Sequence, residues 1–451
     1  MKIRINDNVL VRHVDNETLL VTPRSGGCTV LSDARAFIDA LSHRLTTVDA
    51  ILQTLAKKLD AEVSEISQDA LLVYNELLNQ GFIDVVTDDD QAPGTILSKS
   101  SRTDAMPADE SDDMPLSGFY RHHGNLPVEF HIDLTDACTE RCVHCYVPQK
   151  QHHYLPYELI EKAIREFRDM QGLSVHLTGG EAMMHTRFMD VCRLCKHLNL
   201  NIVIFSNMTL CDDLMVDFLQ EIDPQFVNVS LYAMKAQIHD AITCRPGSWR
   251  ATMGAVLKCE KAGVHIRIAT PLLHENRNEI SSLLKFTQQH NMHLIPSVDI
   301  VPRSNHDCSN LQHVCSCEEL FEALSSNKEL FDEGYGHERR PGDGKVCSIG
   351  TARIYLNAQG NYYPCDSMHG YVLGNVRQDT LDSVWHGEKL NELRALKDSD
   401  FGKCFMCQHR AFCKVCPAFN YNATGDVRGF CHDKCKVADV LHKVYGGGNV
   451  D

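Results

Sequence analysis

No stretch of eighteen apolar residues occurs in the 451-residue chain, and the opening Met1-Lys-Ile-Arg-Ile-Asn-Asp7 carries acids and no apolar core. A membrane span and a secretion signal are therefore not expected, and a cytoplasmic location is. Basic charge is also in short supply: 44 Lys and Arg against 60 Asp and Glu leave a formal charge of -16. Phosphate binding draws its affinity from Lys and Arg, so nucleic acid is a poor partner. Cysteine, in contrast, is plentiful. Twenty of them in a chain without a secretion signal fit reduced thiols used for metal better than oxidised pairs. A hydrophobic content of 43% supports two or three domains with ample core.

Three of these cysteines, Cys138, Cys142 and Cys145, lie in the run Asp136-Ala-Cys-Thr-Glu-Arg-Cys-Val-His-Cys-Tyr146. Thiolates hold iron-sulfur clusters, normally one per iron. Three on one tight loop can bind three irons of a 4Fe-4S cluster and leave the fourth open to a small molecule. Zinc would need a fourth protein ligand and usually paired CxxC units, and His144 lies too close in sequence to complete such a shell easily. A disulfide scaffold is not needed to build a core in a chain of this length.

The chain divides by pattern. Residues 1–86 combine β-type stretches at Val9 to Val14, Leu19 to Thr22 and Thr29 to Leu31 with helical periodicity over Ser32 to Leu41, Val48 to Leu59 and Ser67 to Leu78. Residues 87–118, rich in Asp, Ser and Pro, read as a flexible linker. From residue 119 to about 305, strands at Val128 to Leu134, Ser174 to Thr178, Ile202 to Asn207, Phe226 to Tyr232, His265 to Thr270 and His293 to Val301 alternate with helical stretches. That alternation predicts an α/β fold, a partial (β/α)6 TIM-like barrel, whose site lies where strands end. A bridging region, 306–345, precedes a cysteine-rich segment, 346–451.

The cysteine loop follows the first of these strands. Thr178-Gly-Gly-Glu181 ends the second, where glycines let backbone approach a ligand and a carboxylate can take a cationic amine; alone, such a run is more often an ordinary tight turn. Ser206 and Asn207 end the third strand and Ser230 the fourth, each singly a common helix cap. Together with Tyr146, these residues resemble the radical S-adenosylmethionine (radical SAM) superfamily. The resemblance implies that SAM chelates the open iron through its amino and carboxylate groups. Gly179, Gly180 and Glu181 would place the amine, with Ser206, Asn207, Ser230 and Tyr146 lining the site. One electron from the cluster would then cleave SAM to a 5'-deoxyadenosyl radical that takes hydrogen from substrate.

Near the C-terminus, Cys347 and Cys365 flank Ile354-Tyr-Leu-Asn-Ala-Gln-Gly-Asn-Tyr-Tyr363, which reads as a β-hairpin about Gln359-Gly360. Behind them Cys404, Cys407, Cys413 and Cys416 form two CxxC pairs, followed by Cys431 and Cys435; by themselves these suit zinc or iron-sulfur equally. This segment resembles the SPASM extension of radical SAM enzymes that modify peptides, which carries two auxiliary 4Fe-4S clusters and so brings the expected number of clusters to three. The resemblance implies that Cys347, Cys365 and Cys416 hold the first auxiliary cluster, and Cys404, Cys407, Cys413 and Cys431 the second. Cys435 competes for that last place. The first cluster then has an open iron, or Cys308, Cys315 or Cys317 closes it. Two residues separate Cys413 from Cys416 where the family usually has three, so the local loop geometry differs.

The N-terminal unit could be a winged helix, but residues 1–90 hold fifteen acidic and eight basic side chains, a poor surface for DNA. The runs Leu19-Leu20-Val21, Gly27-Cys-Thr-Val-Leu31, Thr47 to Ile51 and Leu77 to Phe82 resemble the PqqD-like recognition element of ribosomal peptide maturation systems. The resemblance implies a leader peptide bound by strand addition, tethered so that its core segment reaches the strand ends. The expected activity is maturation of a precursor peptide by hydrogen abstraction, forming a thioether or a carbon-carbon crosslink, with flavodoxin or ferredoxin as reductant. A sulfatase-type maturase, a peptidyl oxidase or an epimerase uses the same clusters. A non-catalytic peptide-binding or electron-carrying protein would not need the SAM residues. Cys192 and Cys195 read as core or surface thiols, Cys28, Cys211, Cys244 and Cys259 lack partner spacing, and His122-His123 and His152-His153 read as solvated. No general acid or base is apparent.

Overall fold

The structure, a computed structural model, describes residues 2–24, 26–86, 115–124, 126–147, 151–335, 344–413 and 415–446. It comprises two compact units, Met1–Leu126 and Pro127–Asp451.

In the first unit, β1 (Lys2–Ile5) pairs antiparallel with β5 (Ile83–Val86), while β2 (Leu10–Val14), β3 (Glu17–Thr22) and β4 (Gly27–Ser32) form an antiparallel sheet in that order. Helices α1 (Arg35–Leu41), α2 (Val48–Leu59) and α3 (Val63–Asn79) follow. Thr47 caps α2 by accepting from Ala50 N at 3.2 Å, and a Glu62/Glu65 capping box starts α3. Phe37, Leu41, Ile51, Leu55, Leu77 and Phe82 join Ile3 and Leu20 in one core. Most of the expected linker, 87–114, lies outside the described residues. Its last four residues belong to α4 (Pro115–His122), because Leu116, Phe119 and Tyr120 are apolar at helical spacing and bury themselves, with α4 packed on β4. His123, expected to be solvated, is buried between Asp15 and Glu17, whose carboxylates lie 3.4 and 3.0 Å from its ring nitrogens.

The second unit is built on a nine-stranded sheet. Six parallel strands run in sequence order: β6 (Glu129–Asp133), β7 (Ser174–Thr178), β8 (Asn201–Ser206), β9 (Phe226–Ser230), β10 (Ile266–Pro271) and β11 (His293–Ser297). Their crossovers carry α5 (Tyr157–Asp169), α6 (Phe188–His197), α7 (Asp213–Ile222), α8 (Ala236–Thr243), α9 (Ser248–Lys261) and α10 (Ile280–Gln289). The helices are amphipathic for a reason legible in each: Ile160, Ala163, Ile164 and Phe167 of α5 recur at three and four spacing and cover Phe130, whose ring lies 5.3 Å from that of Phe167. Phe167 also explains Gly172, where a Cβ would lie 2.2 Å from the ring. Cys192 and Cys195 are core thiols of α6.

The cysteine-rich segment extends this same sheet. After α11 (Cys317–Ser326) and α12 (Lys328–Tyr335), β12 (Arg353–Leu356) adds parallel to β6, and β13 (Asn361–Tyr363) and β14 (Gly374–Asn375) continue antiparallel. The expected hairpin is present, with Gly360 at φ 87° and Asn357 Oδ1 accepting from Gln359 N and Asn361 N. Helices α13 (Leu381–Trp385), α14 (Glu388–Arg394), α15 (Gly402–Phe405), α16 (Pro417–Thr424) and α17 (His432–Tyr445) complete the chain. One hydrophobic cluster runs from Phe130 and Leu177 to Val384, Trp385 and Leu390, and Lys162 Nζ donates to the carbonyls of Val376 and Asp379. Trp385 is fully buried, with Arg394 stacked over it at 4.6 Å. Trp385→Ala should therefore cost about 3–5 kcal/mol and lower the thermal midpoint of the whole second unit; loss of less than about 1 kcal/mol in denaturant unfolding would contradict a shared core.

Candidate active site

The residues expected at the strand ends converge. Directly after β6 the chain turns into the loop bearing Cys138, Cys142 and Cys145, and directly after β7 it turns through Gly179 and Gly180. The two turns are hydrogen-bonded to each other: Gly180 N donates to Thr135 O and Glu181 N to Ala137 O, both at 2.8 Å. The approach is so close that a Cβ on Gly179 would lie 2.2 Å from Thr135 O, and one on Gly180 would lie 2.2 Å from Ala137 O. Gly179 moreover has φ 135°, which side-chain-bearing residues rarely adopt.

Glu181 is 1% exposed, and its carboxylate is a strut. It accepts from Ser206 Oγ and from Asn207 N, both at 2.8 Å, and from Met183 N at 3.1 Å. Asn207 carries the connection back to the first loop, donating through Nδ2 to Thr139 Oγ1 at 2.9 Å and towards Cys138 Sγ at 3.7 Å. Glu181, Ser206 and Asn207 thus hold the cysteine loop from below. Ser230, at the end of β9, lies against the hydroxyl of Tyr232. That hydroxyl is in turn 3.8 Å from Cys142 Sγ.

The loop is held from its other side as well. Arg141 N and Val143 N donate to the last carbonyls of α8, on Thr243 and Ile242. Asn310 Nδ2 donates to His144 O and Arg303 Nε to Cys145 O, so the segment after β11 and the bridging region together hold the stretch that carries the third cysteine. His153, expected to be solvated, instead donates its backbone N–H to Asp136 Oδ1 and sets Nδ1 2.7 Å from Oδ2. The three thiols form no disulfide and are partly exposed, and N–H groups of Glu140 and Asn207 point at Cys138 Sγ. Such donors favour the thiolate, the form that binds metal. The loop fits an iron-sulfur cluster with one iron not held by protein.

Tyr146 connects this loop to the C-terminal cysteines. Its ring meets His369 edge-on at 5.2 Å, and burial, followed by the charges of Asp133, Asp366, Cys145 and Cys365, raises its pKa well above the ordinary value. His369 lies between the rings of Tyr355 and Tyr363. The Tyr355 hydroxyl donates to Asp133, a buried carboxylate at the end of β6. Burial, with Asp366 and Asp136 nearby, pushes the pKa of Asp133 up to about 7 despite that hydrogen bond. Asp133, Tyr355 and His369 did not stand out in the sequence. The available signal was the alternation Glu129, His131, Asp133, which puts polar side chains on one face of a strand whose other face, Phe130 and Ile132, is core.

Among the C-terminal cysteines, Cys365 feels the charges of Cys416 and Cys347, which places those three together. Cys413 feels Cys435, Cys404 and Cys407, and Cys435 feels Cys404, Cys407 and Cys431. Cys431 is buried at the head of α17, where it acts on Cys308. Cys315 lies in an apolar cluster with Leu320 and Phe331, and burial pushes its thiol up to about 12. Lys434, paired with Asp299 at 2.6 Å, lowers the pKa of both Cys413 and Cys416 against the opposing effect of burial. Away from these sites, Cys211 and Cys259, far apart in sequence, meet at 4.0 Å in the wall of the parallel sheet.

Comparison with known proteins agrees with this geometry. Residues 132–287 match the Radical SAM superfamily, and residues 347–409 match SPASM, an iron-sulfur cluster-binding domain. The chain thus carries a radical SAM domain followed by a SPASM domain. It is 24% identical over 341 residues to the AdoMet-dependent heme synthase of Methanosarcina barkeri, covering 67% of this chain and 94% of that protein. It is 22% identical over 297 residues to the sporulation killing factor maturation protein SkfB of Bacillus subtilis, covering 62% and 70%. Among solved structures, SuiB of Streptococcus suis bound to its precursor peptide SuiA shares the fold with a TM-score of 0.60 at 14% identity, over 96% of this chain and 100% of that one. The structure of anSMEcpe with bound AdoMet and the Cp18Cys peptide gives 0.56 at 15% identity, over 70% and 96%.

Because a methyl group on Gly180 would collide with backbone on both Asp136 and Ala137, and backbone cannot move aside as a side chain can, Gly180→Ala should displace the cysteine loop. Iron bound by the loop and 5'-deoxyadenosine formed from SAM should both fall tenfold or more, on the order of 1.4 kcal/mol or above. Normal iron content and normal turnover would show that the seam is not required.

Proposed function

We propose that this radical SAM enzyme matures a ribosomally made precursor peptide by hydrogen abstraction, forming an intramolecular thioether or, in second place, a carbon-carbon crosslink. The single observation that carries the reading is the continuity from Cys145 through Tyr146 and His369 to Cys365, which sets a SAM site and an auxiliary cluster site on either side of one group of buried polar side chains.

In this reading Cys138, Cys142 and Cys145 hold the first cluster, and Gly179, Gly180, Glu181, Ser206, Asn207, Ser230 and Tyr146 shape the SAM site. When bound, cluster and SAM supply the 5'-deoxyadenosyl radical that takes a hydrogen atom. Cys347, Cys365 and Cys416 hold a first auxiliary cluster and leave one iron for a substrate thiolate. Cys404, Cys407 and Cys413 hold the second, with Cys435 favoured over Cys431 by its place beside them. Asp133, with a pKa near 7, would receive the proton that crosslinking releases, and an auxiliary cluster would accept the remaining electron, so that the peptide loses one hydrogen atom, one proton and one electron. A flavodoxin or ferredoxin supplies electrons. The fold is a partial (β/α)6 barrel, and the first unit is a PqqD-like winged-helix domain that holds a leader peptide at an edge of the β2–β3–β4 sheet. Apolar residues left exposed on its helices, including Leu71 and Leu72 at 64%, suit such a segment.

A second reading, chemistry on a tetrapyrrole, is favoured by the likeness to the heme synthase. It leaves about a third of the chain uncovered, whereas the SuiB fold spans 96%. Anaerobic incubation with SAM, a reductant and a cysteine-containing precursor peptide distinguishes them. Formation of 5'-deoxyadenosine together with loss of two hydrogens from the peptide is expected. No 5'-deoxyadenosine would refute catalysis, and an unchanged peptide mass would refute crosslinking. Product formation should rise with pH through about 7 as Asp133 loses its proton. Asp133→Asn should abolish that rise and lower the yield on the order of a hundredfold while 5'-deoxyadenosine still forms; an unaltered pH profile would remove Asp133 from the mechanism.

A further inference from the structure

The face of β6 that carries Asp133 also carries, towards the start of the strand, two residues that the radical chemistry leaves unused. His131 of β6 is in register with His176 of β7, and their rings are 4.2 Å apart. Glu129, two residues earlier on the same face, brings Oε2 within 3.5 Å of His131 Nε2. Each of the three offers one ligand atom, and these atoms all lie within 4.8 Å of one another. Glu129 Oε2, His131 Nε2 and His176 Nδ1 are buried and accept or donate no hydrogen bond. A buried polar atom left without such a partner costs on the order of 1–3 kcal/mol, and His131 is only 6% exposed. The two imidazoles share that deficit, and the Glu129 oxygen makes no hydrogen bond beyond its ion pair with Arg353 at 3.2 Å, so the convergence of the three is hard to explain as packing.

We propose that Glu129, His131 and His176 form a binding site for a single zinc-like divalent ion. The donor set is two imidazoles and a carboxylate, which suits zinc or ferrous iron and is unsuited to the harder calcium and magnesium ions. Both rings must be neutral to ligate. Burial, together with the neighbouring His131, lowers the pKa of His176 well below its ordinary value, while burial of Glu129 is outweighed by His131 and the Arg353 guanidinium, which hold its carboxyl below the usual range. Metal-nitrogen and metal-oxygen bonds of about 2.0–2.2 Å require the ligand atoms to close by roughly an ångström, within reach of side-chain rotation. Glu129 is 23% exposed at its side chain, which opens a path for the ion and a place for a water ligand.

Arg353 is the competitor. Its Nη2 lies 3.2 Å from Glu129 Oε2, the oxygen an ion would take, so the guanidinium serves as counter-ion when metal is absent. It also feels the charge of Asp366, which can receive it when metal displaces it. Along β6 the site lies about 7 Å from Asp133 at His131 and about 13 Å at Glu129, counting two and four residues at ~3.3 Å each. The ion would fasten β6 to β7 at the end of the strands away from the cysteine loops, whatever the substrate.

The test uses the full chain with its clusters in place, stripped with a chelator and then titrated with zinc alone. Wild type should retain a single zinc ion that His176→Asn and Glu129→Gln bind tenfold or more weakly, with iron content and cluster absorption unchanged as the control for folding. Zinc should raise the thermal midpoint of wild type and not of these variants. Arg353→Gln, which removes the competing charge, should bind zinc more tightly. Equal zinc in wild type and the ligand variants, or weaker binding in Arg353→Gln, would overturn the proposal.

Discussion

Two backbone hydrogen bonds, from Gly180 to Thr135 and from Glu181 to Ala137, join the turn after β7 to the turn after β6. The rest of the site depends on this seam. It can form only because neither glycine has a side chain, since a Cβ at either would sit about 2.2 Å from a carbonyl oxygen. Once the turns are joined, Glu181 is carried under the end of β8 and there ties Ser206 and Asn207, and Asn207 in turn reaches Cys138. Three adjacent strand ends are thereby made one rigid support for the loop that carries Cys138, Cys142 and Cys145.

The second constraint is continuity of the sheet. Because β12 adds to β6 in parallel register, Tyr355 stands beside His131 on the same face as Asp133, and the hairpin that follows delivers Cys365 next to Tyr146. The radical SAM and SPASM segments consequently share one hydrophobic core and one polar face. Burial on that face raises the pKa of Asp133 and Tyr146 and lowers those of His176 and His369, in each case by disfavouring the charged form. The same low-dielectric surroundings that suit proton transfer at one end of β6 favour a neutral imidazole on His176 beside the other.

Much of this was legible in the chain. Alternation of strands and amphipathic helices located all six parallel strands to within a few residues, because each crossover helix must turn a single apolar stripe to the sheet. The CxxxCxxC loop and the Gly-Gly-Glu run were legible as the turns that follow β6 and β7, and the fold hydrogen-bonds these turns to each other. Less legible were roles that depend on what lies opposite. His123 and His153 looked solvated, yet each meets carboxylates that the fold brings from elsewhere in the chain. Pro115 to Gly118 looked like linker, yet they begin a helix whose apolar residues find β4.

By itself, then, the sequence determined the order of elements, the placing of cysteines after strands, and the acidic character of the chain, all of which follow from local periodicity and residue chemistry. Only the tertiary structure brings Cys435 within reach of the charges of Cys404, Cys407 and Cys431, and Cys365 within reach of those of Cys347 and Cys416. It alone decided that Glu181 acts as a strut, and that Asp133 and the pair His131 and His176 lie at different depths on one buried face. Those outcomes turn on distances between residues far apart in the chain and on the water excluded around them, neither of which spacing along the chain encodes.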